Sequence, residues 1–346
     1  MARAINKKRA LVTGGLGYLG AHVVADLLAE GYSVAVLGHA GPHSRDVHDR
    51  LVKLTGQPIP WFTGDVRDTV LLSHAFDFFK PDAVLHFAGL KPGVRPSAQP
   101  VDYTMSNMGG LLSLLEVMAQ FEVRTLLFSS SAAVYSPYLG CPAAEESGLG
   151  PITPYGSAKL MCEQVLAQQA LSPGWRIANL RCFNPAGAHP SGLLGEPLHT
   201  HGGGLFKQLA RVLAGEQDSV PVFGDQWPTS DGTQVRDYFH VADLACGYVK
   251  ALSYLEGNCG LVTLNLGAGR GYSVREVISA FEAAAGRVIP VTVNDARPGD
   301  MHTSIAHVAA AQAVLGWRPE RSLSMLCEDT VRYVHHLQKK GAYDGM

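Results

Sequence analysis

The sequence is short of charge, of paired cysteines and of long apolar runs, and each shortage excludes something. Only 17% of its 346 residues are Asp, Glu, Lys or Arg, against about 25% in soluble domains generally. Apolar residues make up 47%, whereas a disordered chain needs the opposite balance. Lys and Arg number 28, Asp and Glu 30, a formal net charge of −2. No global field therefore gathers nucleic acid or anionic lipid, and neither is expected as a partner. No apolar run nears the ~20 residues that a bilayer crossing requires. The opening Met1-Ala-Arg-Ala-Ile-Asn-Lys-Lys-Arg9 has charge but no apolar h-region, so it does not read as a secretory signal. Six cysteines, Cys141, Cys162, Cys182, Cys246, Cys259 and Cys327, stand far apart with no Cys-x-x-Cys pair. Free thiols in a reducing cytoplasm are expected, and no metal site.

The length suggests one large or two medium domains. Short apolar runs alternate with helix-period stretches through the first half: Ala10–Val12, Val34–Leu37, Ala83–Phe87, Thr125–Phe128 and Ile177–Leu180. Runs without polar alternation fit strands covered on both faces, as in a parallel sheet. Val23, Val24, Leu27 and Leu28 share one helical face before Gly31, and Leu111, Leu112, Leu114, Leu115 and Met118 repeat the pattern. The expected fold is α/β, a doubly wound parallel (Rossmann) sheet with a smaller, loop-rich substrate-binding lobe. His189-Pro-Ser-Gly192, His201-Gly-Gly-Gly204 and Gly224–Gly232 read as loops, and Val262–Leu266 as a returning strand. The larger unit is expected to take 1–187 plus about 233–270, and the smaller about 188–232 plus 271–346.

Glycine is in excess, 38 residues or about one in nine, against ~7% on average. Four of them fall in Thr13-Gly14-Gly-Leu-Gly17-Tyr18-Leu19-Gly20, between the first strand and the first helix. There Gly14 permits the tight turn, Gly17 the approach of a pyrophosphate, and Gly20 close packing of helix on strand. The helix N-terminus offers the phosphates free N–H groups and a positive dipole. NAD is the expected cofactor. The second strand, however, ends Leu37-Gly38-His39, without the acid that usually holds the adenosine ribose. That loss, with His39, His43 and Arg45 nearby in sequence, leaves NADP open. Asp65 and Val66 follow the third strand, where a carboxylate can accept from the adenine amino group.

Phe128-Ser-Ser-Ser131 brings hydroxyls to the carboxyl edge of the sheet, and Pro154-Tyr155-Gly-Ser-Ala-Lys159 opens a helix. Tyr155 and Lys159 then share one helical face. A phenol is a poor base at neutral pH, but a neighbouring ammonium favours phenolate, which can take an alcohol proton while hydride leaves the same carbon. Ser131 can bridge the oxygen during that exchange.

These motifs, with His86-Phe-Ala-Gly-Leu-Lys91, Phe183-Asn-Pro-Ala-Gly-Ala-His-Pro-Ser-Gly192, Val235-Arg-Asp-Tyr238 and Asn265-Leu-Gly-Ala-Gly269, resemble the extended short-chain dehydrogenase/reductases, and closely the UDP-glucose 4-epimerases. The likeness runs from about Arg9 to Trp317. It implies Ser131, Tyr155 and Lys159 as the catalytic group. For the cofactor it implies Gly14, Gly17, Tyr18, Leu19, Gly20, His39, Asp65, Val66, Phe87, Ala88, Gly89, Lys91, Tyr155, Lys159 and Phe183. For a UDP-sugar it implies Lys91, Ser131, Tyr155, Asn184, Gly204 and Leu205, with Phe223 beside uracil, Arg236 and Arg297 clamping the diphosphate, and Asp300 on the uridine ribose. A homodimer formed through two helices per subunit is also implied.

Gly38 departs from the family pattern, as do Ser106 for a cofactor asparagine, Gly203-Gly204 for an asparagine pair, Cys182 for a tyrosine near nicotinamide, and Ala133 for a threonine. Ser304 falls where bulk at the hexose is gated, so its small side chain leaves room for an N-acetyl group. The implied reaction is UDP-glucose/UDP-galactose 4-epimerisation through a 4-keto intermediate, with UDP-GlcNAc/UDP-GalNAc as a further pair. A dehydratase would need an acid beside the serine, where Ala132 and Ala133 stand. The alternatives are an NADP-dependent nucleotide-sugar or carbonyl reductase, and a non-catalytic nucleotide-binding regulator.

Overall fold

Runs of Val, Leu and Ala with no polar residue among them become strands because a strand covered by helices on both faces has no wet side. The computed structural model describes residues 8–344 apart from 94, 139, 201 and 298; the opening segment 1–7 and His201 thus lie outside the described residues. The first strands are β1 (Arg9–Thr13), β2 (Ser33–Gly38), β3 (Trp61–Thr63), β4 (Ala83–His86), β5 (Thr125–Ser131) and β6 (Arg176–Cys182). They alternate with α1 (Tyr18–Ala29), α2 (Pro42–Thr55), α3 (Thr69–Phe79), α4 (Pro100–Gln120) and α5 (Pro154–Gln169). Next come β7 (Asn184–Ala186), α6 (Leu205–Ala214), β8 (Val220–Phe223), β9 (Val235–Arg236), β10 (Tyr238–His240), α7 (Val241–Gly257) and β11 (Gly260–Leu266). The last elements are β12 (Tyr272–Ser273), α8 (Val274–Ala285), β13 (Val291–Asn294), β14 (Thr303–Ser304), α9 (Ala309–Leu315) and α10 (Leu323–Asp344).

Seven strands form one parallel sheet in the order β11-β6-β5-β4-β1-β2-β3. This is the doubly wound Rossmann arrangement, and the chain changes direction across the sheet between β1 and β4. Outside the carboxyl ends of those strands lies the crevice where such sheets bind ligands. Alternate residues of one strand face opposite layers: Ala10 and Val12 join Val23, Leu27, Tyr248 and Leu252 from α1 and α7. Leu11 joins Phe76, Leu114 and Leu166 from α3, α4 and α5.

A separate apolar cluster joins α6, α8 and α10 to β8 and β10 through Phe206, Leu209, Leu213, Phe281, Leu326 and Val334. The α6 members recur at i, i+3 and i+7, which puts them on one helical stripe. Residues 309–317, expected with the smaller lobe, instead pack against α7 and β11, with Ala311 and Trp317 inside the sheet's own core. The Trp317 indole donates to the Asp243 carbonyl at 2.9 Å, which gives its buried N–H a partner there.

Candidate active site

The site begins at the glycine turn. Gly14 adopts φ +70°, and a Cβ there would stand 2.8 Å from the Ala88 nitrogen, so the turn is pressed against the chain leaving β4. On Gly20 a Cβ would stand 2.4 Å from the Gly14 carbonyl oxygen, which explains how closely α1 approaches β1. The Gly17 N–H donates to that same carbonyl at 3.0 Å. Gly17 caps α1 without a side-chain hydrogen bond, leaving the first-turn N–H groups to a ligand. The Tyr18 hydroxyl donates to the Gly187 carbonyl at 2.8 Å, so Tyr18 and Leu19 offer this turn their backbone. The cradle fits a dinucleotide pyrophosphate.

At the far end of the crevice Gly38 has no steric reason to be glycine: a Cβ would meet nothing closer than 3.9 Å. His39 lies 3.9 Å from Asp65. Arg67, which the motif pattern does not single out, grips the Asp65 carboxylate through Nε at 3.0 Å and Nη2 at 2.6 Å. That pairing holds the Asp65 carboxyl down at about 2. Val66 is buried beneath Gly110, whose missing side chain makes the room. His43 turns instead toward His199, ring centroids 5.2 Å apart.

Ser131, Tyr155 and Lys159, the expected catalytic group, come together at the carboxyl end of β5. Thr153 caps α5 by accepting from the Gly156 N–H at 3.0 Å, with Pro154 in the first helical position. This start sets Tyr155 and Lys159 one turn apart. The Ser131 hydroxyl faces the Tyr155 phenol and acts to lower its pKa. Lys159 Nζ donates to the Ser129 carbonyl at 2.7 Å and lies 5.8 Å from the Tyr155 ring centroid. Burial lowers the Lys159 ammonium to about 8. The phenol differs from the expectation: burial and the neighbouring Cys182 raise its pKa, and the Ser131 hydroxyl pulls the other way. The protein's own groups therefore leave the phenol protonated, because desolvation outweighs the Ser131 hydroxyl. His86, buried with Nδ1 2.7 Å from Thr13 Oγ1, is pushed down to about 3 by burial and by Lys159, and is neutral.

Phe87, Ala88 and Gly89 continue from β4 along the floor. Gly89, at φ +154°, rests on the Asn107 amide, where a Cβ would fall 2.2 Å from Oδ1. Asn107 also donates to the carbonyls of Leu90 at 3.1 Å and Tyr103 at 2.9 Å. It is thus Asn107, next to the Ser106 singled out in sequence, that holds this loop. The Phe87 ring sits 4.7 Å from that of Tyr248, whose hydroxyl is 3.5 Å from Cys182 Sγ. Lys91 carries the charge of the loop, acting on Lys159 and acted on by Glu196 and Cys182.

Across the cleft, β9 lies between β12 and β14, which sets Arg236 beside Ser304. Asp300 and Arg297 both act electrostatically on Arg236, so the three face a common space. The Arg297 guanidinium lies 4.2 Å over the Phe223 ring, and its Nε donates to Asp300 at 2.9 Å. Asp237, next to Arg236, is fully buried and accepts the N–H groups of Ala268, Gly269 and Ala306 at 2.5, 3.0 and 3.0 Å. Asn184 opens β7 and donates its N–H to the Asp237 carbonyl at 3.1 Å. Phe183 is buried against Tyr135. Gly204 caps α6 without a side-chain bond, so its first turn, from Leu205, has free donors. One wall can thus hold a dinucleotide and the other an anionic, aromatic-bearing nucleotide, with a hydroxyl–phenol–ammonium set between them.

Residues 10–267 match the NAD dependent epimerase/dehydratase family. The chain is 41% identical over 324 residues to the UDP-glucose 4-epimerase of Bacillus subtilis, covering 93% of this chain and 96% of that one. Its fold is similar to that of the UDP-glucose 4-epimerase of Stenotrophomonas maltophila with bound NAD and formylated UDP-arabinopyranose (TM-score 0.92, 39% identity, 96% of this chain and 99% of that one). It is likewise similar to the Bifidobacterium longum enzyme in complex with NAD+ and UDP (TM-score 0.88, 39% identity, 95% and 98%).

Proposed function

Because the chain belongs to the NAD dependent epimerase/dehydratase family, we propose that it is a UDP-glucose 4-epimerase, an isomerase that uses NAD and inverts the hexose of a UDP-sugar at C4. The observation that carries this reading is the set Ser131, Tyr155 and Lys159 at the carboxyl end of β5, between the glycine-lined N-terminus of α1 and the Arg236–Arg297 wall. The turn from Gly14 to Gly20 holds the NAD pyrophosphate, Asp65, Val66 and His39 border the adenosine, and Phe87 to Lys91 with Phe183 line the path to nicotinamide. Arg236 and Arg297 clamp the UDP diphosphate, with Asn184, Gly204 and Leu205 around it, Phe223 beside uracil and Asp300 on the ribose. The chain is read as 1–187 plus about 233–270 for the dinucleotide and the remainder for the sugar nucleotide, with α9 packed on the former.

Bound NAD would supply an acceptor for the C4 hydride and a positive charge, so that inversion through a 4-keto hexose runs without net redox. Once the phenol has given its own proton up to solvent, a loss that the Lys159 ammonium and a bound cationic cofactor favour, Tyr155 as phenolate takes the C4 hydroxyl proton through Ser131 and gives it back after the sugar turns. Lys159 holds that phenolate as it forms, and its own proton is needed for this. The two arginines keep UDP fixed while the hexose, gripped by fewer groups, rotates. Incubating the protein with UDP-galactose tests the reading: UDP-glucose forms with no consumption of added nicotinamide, whereas stoichiometric NADPH use marks a reductase.

Ser304 supports turnover of UDP-GlcNAc and UDP-GalNAc as well, since a short side chain beside Arg236 leaves space at the hexose. Exposed Val101, Met105 and Leu112 lie on α4, with Met161 on the adjoining α5. That apolar face supports a homodimer built on these helices. No helix of the described residues is long and apolar enough to cross a membrane, and the six cysteines are free, which supports a cytoplasmic enzyme.

A further inference from the structure

Beneath the reacting groups lies a buried ion pair that the steps above do not use. Glu163 stands one turn beyond Lys159 on α5, as Lys159 stands one turn beyond Tyr155, so all three share a helix face. The Glu163 carboxylate accepts Arg181 Nε at 3.0 Å and Nη2 at 2.7 Å, and also accepts the Ser130 hydroxyl. Arg181 Nη1 donates to the Tyr135 hydroxyl at 3.0 Å and the Glu145 carbonyl at 2.9 Å. Glu163 and Arg181 are only 5% and 4% exposed. Ser130 precedes the catalytic Ser131, Arg181 precedes Cys182, and these residues are partners in the β5–β6 register. One carboxylate thus fastens two strand ends of the site to the catalytic helix. A buried pair of this kind is weak evidence for stability, because desolvation offsets much of the attraction.

We propose that Glu163 is a positioning residue for the epimerisation: fixed by Arg181 and Ser130, its carboxylate sets Ser131 against Tyr155 and keeps the Lys159 ammonium protonated beneath the phenol. The inference rests on the epimerase reading. The groups acting on Lys159 are Cys162 and Glu163 from α5, Lys91 from the loop after β4, and Cys182 from β6; His86 of β4 also faces it. Lys91 opposes the ammonium, His86 is neutral, and both thiols are raised to about 11 by burial and so stay protonated. Among these groups Glu163 therefore carries the negative charge that favours it, a weaker influence than burial and one shared with Arg181.

The test compares wild-type holoenzyme with Glu163→Gln and with the double variant Glu163→Gln/Arg181→Met. Each is assayed on UDP-galactose across the pH range around the Lys159 value of about 8. Gln keeps a partner for Ser130, and the double variant leaves no unpaired buried charge, so the fold survives in at least that form. The expected result is a basic limb of kcat moved about one pH unit lower, roughly tenfold less activity above it, unchanged KM, and an undiminished content of bound NAD. Glu163→Asp restores part of the wild-type profile. A folded variant whose limb stays in place, whatever its overall rate, overturns the inference. If wild type itself does not interconvert UDP-galactose and UDP-glucose, the epimerase reading fails first, and this inference with it.

Discussion

Gly156 is pressed against the carbonyl oxygen of Ala133, so closely that a Cβ there would stand 2.2 Å away. This contact lets α5 approach the turn that follows β5, and it brings Tyr155 to Ser131. The Tyr155-Gly156 order is thus a packing requirement of the chemistry. Gly156→Ala is expected to shift the helix by a fraction of an ångström to an ångström. Displacements of that size cost about 10²-fold when they separate reacting groups. Steady-state kinetics should show kcat falling by about that factor with KM changed little.

The Lys159 ammonium titrates at about 8 and must be charged to hold a phenolate. Activity is therefore present below that value and lost as pH rises through it. A kcat–pH profile on UDP-galactose should fall above about pH 8, and Lys159→Met should remove most activity and abolish this limb.

Gly38 has open space around its Cα, so Gly38→Asp costs the fold nothing in sterics. An acid there supplies the ribose with the acceptor it lacks and repels a 2′-phosphate. Calorimetry should find NAD bound about tenfold more tightly and NADP binding lost. Equal affinities in variant and wild type would show that Asp65 already fills this role.

Asp26 is held up at about 6 by burial, with Glu30 and Asp243 adding to the rise and Arg321 opposing it. The folded form binds a proton that the unfolded form has released between about pH 4 and 6, so its ionisation weakens the fold as pH rises through that window. Asp26→Asn should accordingly be more stable than wild type at pH 7, by about 2–3 kcal/mol. Urea denaturation should show this advantage disappearing below about pH 4.

Val101, Met105 and Leu112 recur at i, i+4 and i+11 on α4, a spacing that keeps them on one stripe, and they are exposed. Replacing Met105 with Glu places a charge on that stripe. Analytical ultracentrifugation should find wild type as a dimer and the variant shifted toward monomer, with the monomeric fold retained by circular dichroism.

The glycine turn, the parallel sheet and the Tyr155–Lys159 spacing are legible in the sequence because each is local: a turn, a run, or one helical period. The contacts that shape the site are not. Tyr248 reaches Cys182 across 66 positions, and Asn265 donates its N–H to Glu145 across 120; no periodicity links such residues. Arg67 is only two residues from Asp65, but an exposed arginine carries no signal until its guanidinium is seen on the carboxylate. The phenol's raised pKa was likewise invisible, since spacing reports the neighbouring ammonium and says nothing of burial. Trp317 packs with the sheet rather than the second cluster because its indole finds the Asp243 carbonyl there.

The most direct measurement is the rate at which purified Tyr155→Phe interconverts UDP-galactose and UDP-glucose, with the cofactor it carries identified by mass. Loss of general-base catalysis should lower kcat by about 10²–10⁴-fold, while NAD remains bound in full. Wild-type turnover in the variant would contradict the assignment of that phenol as the group that moves the C4 proton.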